Sequence, residues 1–392
     1  MTVCRLKLSK DTFFSFLYVM MVFPTFWAGT SPDSTLATDT LRKTLAYISY
    51  SFFIIMVSLA WFNRIFIFDK NFFIGLFGVL VYWCFFYFSA ISEVSPGLLN
   101  IGFLILFLAA SRGIKNKIYS YIKILLLISS ALGILFYIST LMLVDIGQAV
   151  YPYYGSDPGT KFYVAWGFLN IFIEGEFARL CGPFNEPGYW GTVLALILTV
   201  EGYKINKANI VIFIAGVFSW SLAFFIIVAV NILYRYHNKI WKILFMLIII
   251  AGLMGTFLAD NPNVEHMTNR MSFDSQGNWV GNNRSNEGID KGLRDTVMSE
   301  YILFGHGTGY ASTLTNQSFA TYKTLIIEYG VMGTLLMYGA IFFLAIREAQ
   351  DKFDAIWLIL MFIFSLYQRP IIFLSIYFII LYGGIQHIIR KN

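Results

Sequence analysis

Long apolar runs, separated by short polar segments, recur along the whole chain. Such runs are typical of transmembrane helices, because a helix needs about 20 residues to cross the hydrocarbon core of a bilayer. The pattern predicts an all-α polytopic membrane protein that forms a single integral membrane domain over residues 1–392. The predicted spans are Thr12–Ala28, Leu45–Phe62, Phe72–Ala90, Gly97–Ala110, Tyr119–Leu143, Tyr189–Gly202, Ile240–Leu258, Lys323–Ile346, Asp354–Leu366 and Ile371–Ile388.

Basic residues between the apolar runs predict which loops face the cytoplasm, because cytoplasmic loops are enriched in Lys and Arg. The first run follows a basic N-terminal segment and lacks a convincing cleavage pattern, so we expect a retained helix rather than a signal peptide. The loops expected in the cytoplasm carry Arg64 and Lys70; Arg112, Lys115 and Lys117; Lys204 and Lys207; Arg235, Lys239 and Lys242; and Arg390 and Lys391.

One apolar run, Asn209–Tyr234, is flanked by basic clusters on both sides. A single crossing would place one of those clusters outside, against the positive-inside rule. We therefore predict two short helices, a broken or re-entrant pair, interrupted near Ser219–Ser221. The total becomes about 12 transmembrane helices, with both termini in the cytoplasm.

This topology leaves two large loops on the outer face, at residues 144–188 and 259–322. The segment Tyr163–Ile173 in the first loop is apolar and aromatic. We expect it to be an interfacial helix lying on the membrane, because a further crossing would invert every later loop. For a bacterial chain the loops would be periplasmic and the membrane the inner one.

Composition supports the membrane class and excludes others. Hydrophobic residues make up 58% of the chain and charged residues 13%, and the mean hydropathy is +0.67. The formal charge of +6 mostly reflects the cytoplasmic loops, so it does not indicate nucleic-acid binding. The three cysteines, Cys4, Cys84 and Cys181, are expected to be unpaired, and no metal-binding or nucleotide-binding motif occurs, so no metal and no cofactor are expected.

The first candidate site is the polar stretch RLCGPFNEPGYWG, which runs from Arg179 to Gly191 into a predicted helix. The planar guanidinium of Arg179 can donate two parallel hydrogen bonds to a phosphate, although an isolated arginine at this depth can also be an interfacial anchor. Asn185 and Glu186 project from a turn fixed by Pro183 and Pro187. The alternative for this turn is a rigid cap before the helix.

The second outer loop repeats this chemistry with Arg270, Arg284 and Arg294, followed by a glycine-rich turn that contains His306. Alternating glycines suit a tight turn or a close approach to a ligand. The loop also holds seven acidic residues, so each arginine is as well explained by a structural ion pair as by anion binding. The few ionisable residues within the predicted spans disfavour an ion-coupled transporter.

The order of these features resembles the O-antigen polymerase and ligase superfamily, bacterial membrane enzymes that act on lipid-linked glycans. Four stretches over roughly the C-terminal half carry the resemblance: RLCGPFNEPGYWG, FSWSLAFF, NNRSNEGIDKGLRDTVMSEYILFGHGTGY and KTLIIEYGVMGTLLMYG. The last includes Glu328, Gly330 and Gly333 in the expected order. Ligases of the superfamily resemble one another in a histidine where this chain has Phe319, and this difference favours a polymerase.

The resemblance implies metal-independent polymerisation of undecaprenyl-pyrophosphate-linked oligosaccharide repeat units. Arg179 and Arg284 would stabilise the departing pyrophosphate, and His306 or Glu186 would act on the acceptor hydroxyl. Further expected partners are membrane lipid and a chain-length regulator protein, and the alternatives are an O-antigen ligase and a lipid-linked glycan flippase. The residues expected to bind substrate are Asn185, Arg270, Arg294 and Tyr322.

Overall fold

The structure is a computed structural model, and most of the residues it describes are helical. It describes residues 9–27, 39–88, 98–152, 161–235, 238, 268–269, 272, 285–315, 321–349, 351–368 and 373–388. The predicted span Ile240–Leu258 lies outside these ranges, as do Arg270, Arg284 and Phe319.

The elements follow one another in an order close to that of the predicted spans. The helices are α1 (Lys10–Val22), α2 (Asp39–Phe62), α3 (Lys70–Phe88), α4 (Leu98–Ala109), α5 (Arg112–Leu141), α6 (Pro187–Val200), α7 (Lys207–Phe218), α8 (Leu222–Arg235), α9 (Glu287–Val297), α10 (Tyr310–Thr313), α11 (Tyr322–Glu348), α12 (Lys352–Gln368), α13 (Ser375–Phe378) and α14 (Gly384–His387). A π-helical turn, Ile379–Gly383, joins the last two. The strands are β1 (Ala149–Pro152), β2 (Lys161–Trp166), β3 (Leu169–Glu174) and β4 (Phe177–Gly182).

Within the described residues, three helices are long and apolar enough to cross a membrane: Thr40–Phe62, Arg112–Leu141 and Tyr322–Glu348. Five shorter apolar helices accompany them, at Lys70–Phe85, Asn100–Ala109, Pro187–Val200, Lys207–Phe218 and Leu222–Arg235. The helical, apolar character predicted for the chain is confirmed to this extent. The count of about 12 crossings and the sidedness of the loops stay predictions.

The chain divides into two compact units. The first comprises Met1–Phe26, Asp39–Leu125 and Glu287–Asn392, and the second comprises Trp27–Thr38 and Leu126–Asn286. Helix α5 belongs to both units, since the division falls after Leu125.

In the second unit, the prediction of an interfacial helix at Tyr163–Ile173 is wrong. The segment lies in β2 and β3 of a four-stranded antiparallel meander, ordered β1-β2-β3-β4, so the chain is not purely α-helical. Two-residue turns join β2 to β3 and β3 to β4, and each begins with a positive-φ glycine, Gly167 or Gly175. Glycine at that place favours the tight hairpin turn that matches strand twist. The aromatic and β-branched residues between these turns therefore pair as strands.

The predicted interruption near Ser219–Ser221 is confirmed: α7 ends at Phe218 and α8 begins at Leu222. The chain folds back there, since the rings of Phe213 and Phe224 are 5.8 Å apart. At the other end of the pair, the guanidinium of Arg235 lies within 3.2 Å of the Cβ position at Gly202. The basic residues on either side of the pair are thus at the same end of it, as the positive-inside argument required.

In the first unit, a buried ion pair joins helices that are far apart in sequence. The Lys115 ammonium lies 2.9 Å from the Glu348 carboxylate, and both side chains are almost wholly buried. Gln386 donates to the Glu348 carbonyl at 3.1 Å. Removing one partner of such a pair leaves an uncompensated buried charge, so the bridge fixes the relative positions of α5, α11 and α14.

Helix α11 is interrupted at Gly330, whose φ of 67° and ψ of 179° are not helical. The carbonyls of Ile327 and Glu328 lose their helical partners and accept instead from the amides of His306 and Gly307, at 2.8 and 3.0 Å. In return, the Met332 amide donates to the Leu303 carbonyl at 2.9 Å. The glycine-rich turn, Gly305–Gly309, therefore supplies the main-chain hydrogen bonds that the broken helix lacks.

We call these reciprocal main-chain hydrogen bonds between α11 and the segment before α10 the interlock. Replacing Gly330 with alanine tests it. The conformation at Gly330 is nearly restricted to glycine, and an added Cβ would lie 2.3 Å from the Leu303 carbonyl group. We expect Gly330→Ala to lower the free energy of unfolding by at least about 2 kcal/mol, measured by denaturation of the purified protein in detergent. Gly339→Ala, in the same helix, is the control, because its Cβ meets nothing within 4 Å. Equal stability of the two variants would contradict the interlock.

Candidate functional site

Arg179 lies in β4, where side chains alternate between the two faces of the sheet. Its neighbours Ala178 and Leu180 are buried, and the Tyr137 hydroxyl donates to the Ala178 carbonyl at 3.0 Å. These contacts fix the strand, and the half-buried Arg179 side chain extends from the opposite face.

The Arg179 guanidinium binds the interruption between α7 and α8. Its Nε donates to the Ser219 carbonyl at 3.2 Å, and its Nη2 donates to the Trp220 carbonyl at 3.1 Å. Trp220 has a φ of 47°, so the helical hydrogen-bond pattern cannot continue through it. Arg179 is therefore a cap for the end of α7 and not simply an anchor that reaches water. The charge of Arg179 marks it in the sequence, but its two partners are visible only in the structure.

The interruption also packs against the first turns of α6. A Cβ at Gly191 would lie 2.5 Å from the Ser221 Cβ, so only glycine allows this approach. The Ser221 hydroxyl contacts the Gly188 carbonyl at 3.5 Å. The starts of α6 and α8 consequently lie beside the turn that holds the guanidinium. Helix starts carry partial positive charge, so they add to the charge of Arg179 and favour an anion.

The polar residues of the Pro-Gly turn lie at the start of α6. Glu186 occupies the N-cap position, is half-buried and makes no side-chain capping hydrogen bond. Asn185 is exposed, and its carbonyl accepts from the Tyr163 hydroxyl at 2.6 Å. The structure thus brings Arg179, Asn185 and Glu186 into one unit, at one end of α6. Burial raises the pKa of the nearby Cys181 thiol, which keeps it protonated and unsuited to act as a nucleophile.

His306 lies in the first unit, in a column of three aromatic rings. Its imidazole stacks between the rings of Tyr301 and Tyr310, with centroids 4.1 and 4.2 Å away and planes inclined by 26° and 15°. Burial lowers the pKa of His306, so the imidazole is neutral at pH 7. A neutral imidazole can accept a proton, which is the property required of a general base.

Glu328 is a polar residue that sequence analysis placed in the resemblance but gave no role. Its Oε1 accepts from the amides of Gly309 and Ala311, at 3.0 and 3.4 Å. The carboxylate thereby fixes the chain on both sides of Tyr310, at the start of α10. An acidic residue in an otherwise apolar segment is the sequence signal for such a contact.

Two further predicted residues are in the same unit as His306. Arg294 is exposed on α9, whose opposite side contributes Ile289 to a small core with Ala311 and Ile327. Tyr322 is the exposed first residue of α11. Next to it, Lys323 pairs with Asp290 and joins α11 to α9. Asp290, one of the acidic residues of this loop, therefore forms a structural ion pair with a lysine.

The predicted site residues are thus divided between the two units. Arg179, Asn185 and Glu186 belong to the second unit, and His306, Arg294 and Tyr322 belong to the first. Arg270 and Arg284 lie outside the described residues. Among the residues that are described, no group of three or more His, Cys, Asp or Glu side chains could hold a metal ion.

No model of a protein family, no curated protein and no solved structure matches this chain. The functional interpretation therefore depends on the resemblance of the four stretches and on the chemistry of the two groups of side chains.

We expect Arg179→Met to destabilise the protein by about 2–3 kcal/mol, because it removes two charge-assisted hydrogen bonds from carbonyls at a helix end. The measurement is denaturation in detergent. Arg294→Met is the matched control, since it removes an exposed guanidinium and should change stability by less than about 0.5 kcal/mol. A loss no greater for Arg179→Met than for Arg294→Met would show that the contacts to the interruption contribute little.

NMR titration of the His306 side chain should give a midpoint below the usual pKa of about 6.5. Because the folded protein resists protonation there, this group destabilises the fold as the pH falls through 6.5. Tyr301→Ala uncovers one face of the imidazole and should raise the midpoint towards 6.5. A midpoint at or above 6.5 in the unaltered protein would contradict the desolvation of the ring.

Proposed function

We propose that this protein is a membrane glycosyltransferase that polymerises undecaprenyl-pyrophosphate-linked oligosaccharide repeat units, without a metal ion, on the outer face of the bacterial inner membrane. The proposal is supported by the order of the four stretches that resemble the O-antigen polymerase and ligase superfamily. It is also supported by the apolar helices, which suit a lipid-linked substrate.

The observation that carries the proposal is the position of the Arg179 guanidinium at the interruption between α7 and α8, beside the start of α6. Two helix starts and a guanidinium converge there, which is the arrangement that stabilises an anion. A departing lipid pyrophosphate is an anion that gains charge as the reaction proceeds.

In the proposed reaction, a hydroxyl of the acceptor repeat unit attacks the anomeric carbon of the donor glycan. A new glycosidic bond forms, and the bond between the anomeric carbon and the pyrophosphate oxygen breaks. Arg179 and Arg284 stabilise the charge on the leaving pyrophosphate. His306 or Glu186 accepts the hydroxyl proton, while Asn185, Arg270, Arg294 and Tyr322 bind the substrates.

The test is a reconstituted reaction with purified protein, a chelator and the lipid-linked repeat unit of the organism that encodes the chain. We expect a ladder of lipid-linked oligomers that persists in chelator. Arg284→Ala should abolish the ladder, and Arg179→Lys should weaken it strongly, because lysine keeps the charge but cannot donate from a planar fork. A cooperative unfolding transition, measured for each variant in detergent, would show that both are folded.

Two other outcomes would contradict the polymerase proposal and identify a different activity. Glycan transferred to an added lipid A core acceptor, without a ladder, would identify a ligase. Movement of the lipid-linked unit across vesicles without any new glycosidic bond would identify a flippase. A ladder that survives Arg284→Ala unchanged would exclude the role assigned to that arginine.

A further inference from the structure

The aromatic column around His306 has one covered end and one open end. Tyr310, at the covered end, packs against the core of Ile289, Ala311 and Ile327. Tyr301, at the other end, is 44% exposed. The column therefore presents an aromatic face and the edges of its rings to a ligand.

The column is also held in place by hydrogen bonds with α11. The His306 amide donates to the Ile327 carbonyl, and the Glu328 carboxylate binds the amides on either side of Tyr310. The interlock with α11 thus holds the histidine and one of the tyrosines. A site whose rings are already held in place loses little entropy when a ligand binds.

The chemistry of the column matches a sugar better than it matches a phosphate or a hydrocarbon chain. A pyranose ring has C–H groups on its faces, which pack on an aromatic ring, and hydroxyls at its edges. The phenol hydroxyls and the imidazole nitrogens can bond to those hydroxyls. Within the described residues, the structure gives the His306 ring nitrogens no hydrogen bond. The rings carry no positive charge at pH 7 with which to hold a phosphate.

We propose that Tyr301, His306 and Tyr310 form a saccharide-binding subsite that takes the acceptor sugar of the glycosyl transfer. The proposal rests on the proposed function and assigns the neutral, hydroxyl-bearing part of the reaction to this column. Tyr301 contacts the sugar ring, and the edge of His306 binds a hydroxyl. Tyr310 is a positioning residue that holds the imidazole from its covered side.

The experiment measures sugar binding separately from glycosyl transfer. The probe is the reducing oligosaccharide that mild acid releases from the lipid-linked repeat unit, which has neither lipid nor pyrophosphate. Binding to the full-length protein in nanodiscs is followed by saturation-transfer NMR. We expect Tyr301→Ala to weaken binding by about fivefold or more, and Tyr301→Phe to keep it within about twofold, because the phenylalanine ring retains the stacking surface.

Met298→Ala is the matched control, since Met298 is 86% exposed and lies close to Tyr301 in the chain. It should bind the oligosaccharide as the unaltered protein does. Binding by Tyr301→Ala equal to that of the unaltered protein would overturn the inference, and so would the absence of saturation transfer from the unaltered protein at millimolar oligosaccharide. The subsite and the polymerase proposal fail separately, because binding needs no ladder and a ladder can form when Tyr301→Ala has no effect.

Discussion

Main-chain hydrogen bonding is the constraint on which this structure depends. In apolar surroundings every amide and carbonyl needs a partner within the protein, so a helix cannot stop or change direction without one. The chain interrupts helical structure at Ser219–Ser221 and at Gly330, and it supplies partners at both places. The partners come from segments distant in sequence, β4 in one unit and the glycine-rich turn in the other. Each interruption therefore fixes a polar loop against apolar helices.

This constraint explains why the candidate chemistry lies where it does. A polar segment that satisfies a broken helix is held rigidly, and rigidity is what a binding or catalytic group requires. Arg179 is held by its hydrogen bonds to the interruption between α7 and α8. His306 is held by the hydrogen bond that its main-chain amide donates to the Ile327 carbonyl of α11. The same contacts that allow the fold thus position the side chains.

The sequence predicted the helices well, because apolar length and basic loops report directly on membrane-compatible segments. It also located the interruption at Ser219–Ser221, since the basic residues Lys207 and Arg235 left no alternative. It failed at Tyr163–Ile173, where composition alone does not separate an aromatic strand from an interfacial helix. Only the placement of Gly167 and Gly175 distinguishes the two, through the hairpin turns.

The sequence could suggest site residues but not their partners. Arg179 was selected for its charge, yet its contacts with the Ser219 and Trp220 carbonyls span about 40 positions, and no local pattern encodes them. The aromatic column was hidden for a similar reason. Tyr301, His306 and Tyr310 are irregularly spaced, and they meet only because the glycine-rich turn folds against α11.

The two interruptions use different chemistry, and the difference bears on function. At Gly330 the unpaired carbonyls are satisfied by neutral main-chain amides, so this chain can close a broken helix without any charge. At Ser219–Ser221 the carbonyls are satisfied by a half-buried guanidinium, which is costly to desolvate. The end of α7 offsets part of that cost, because the negative end of its helix dipole favours a cation. The positive starts of α6 and α8 disfavour a cation. Glu186, at the N-cap of α6, places one negative charge beside these helix starts, and the pyrophosphate of the proposed substrate is a second anion that they would favour.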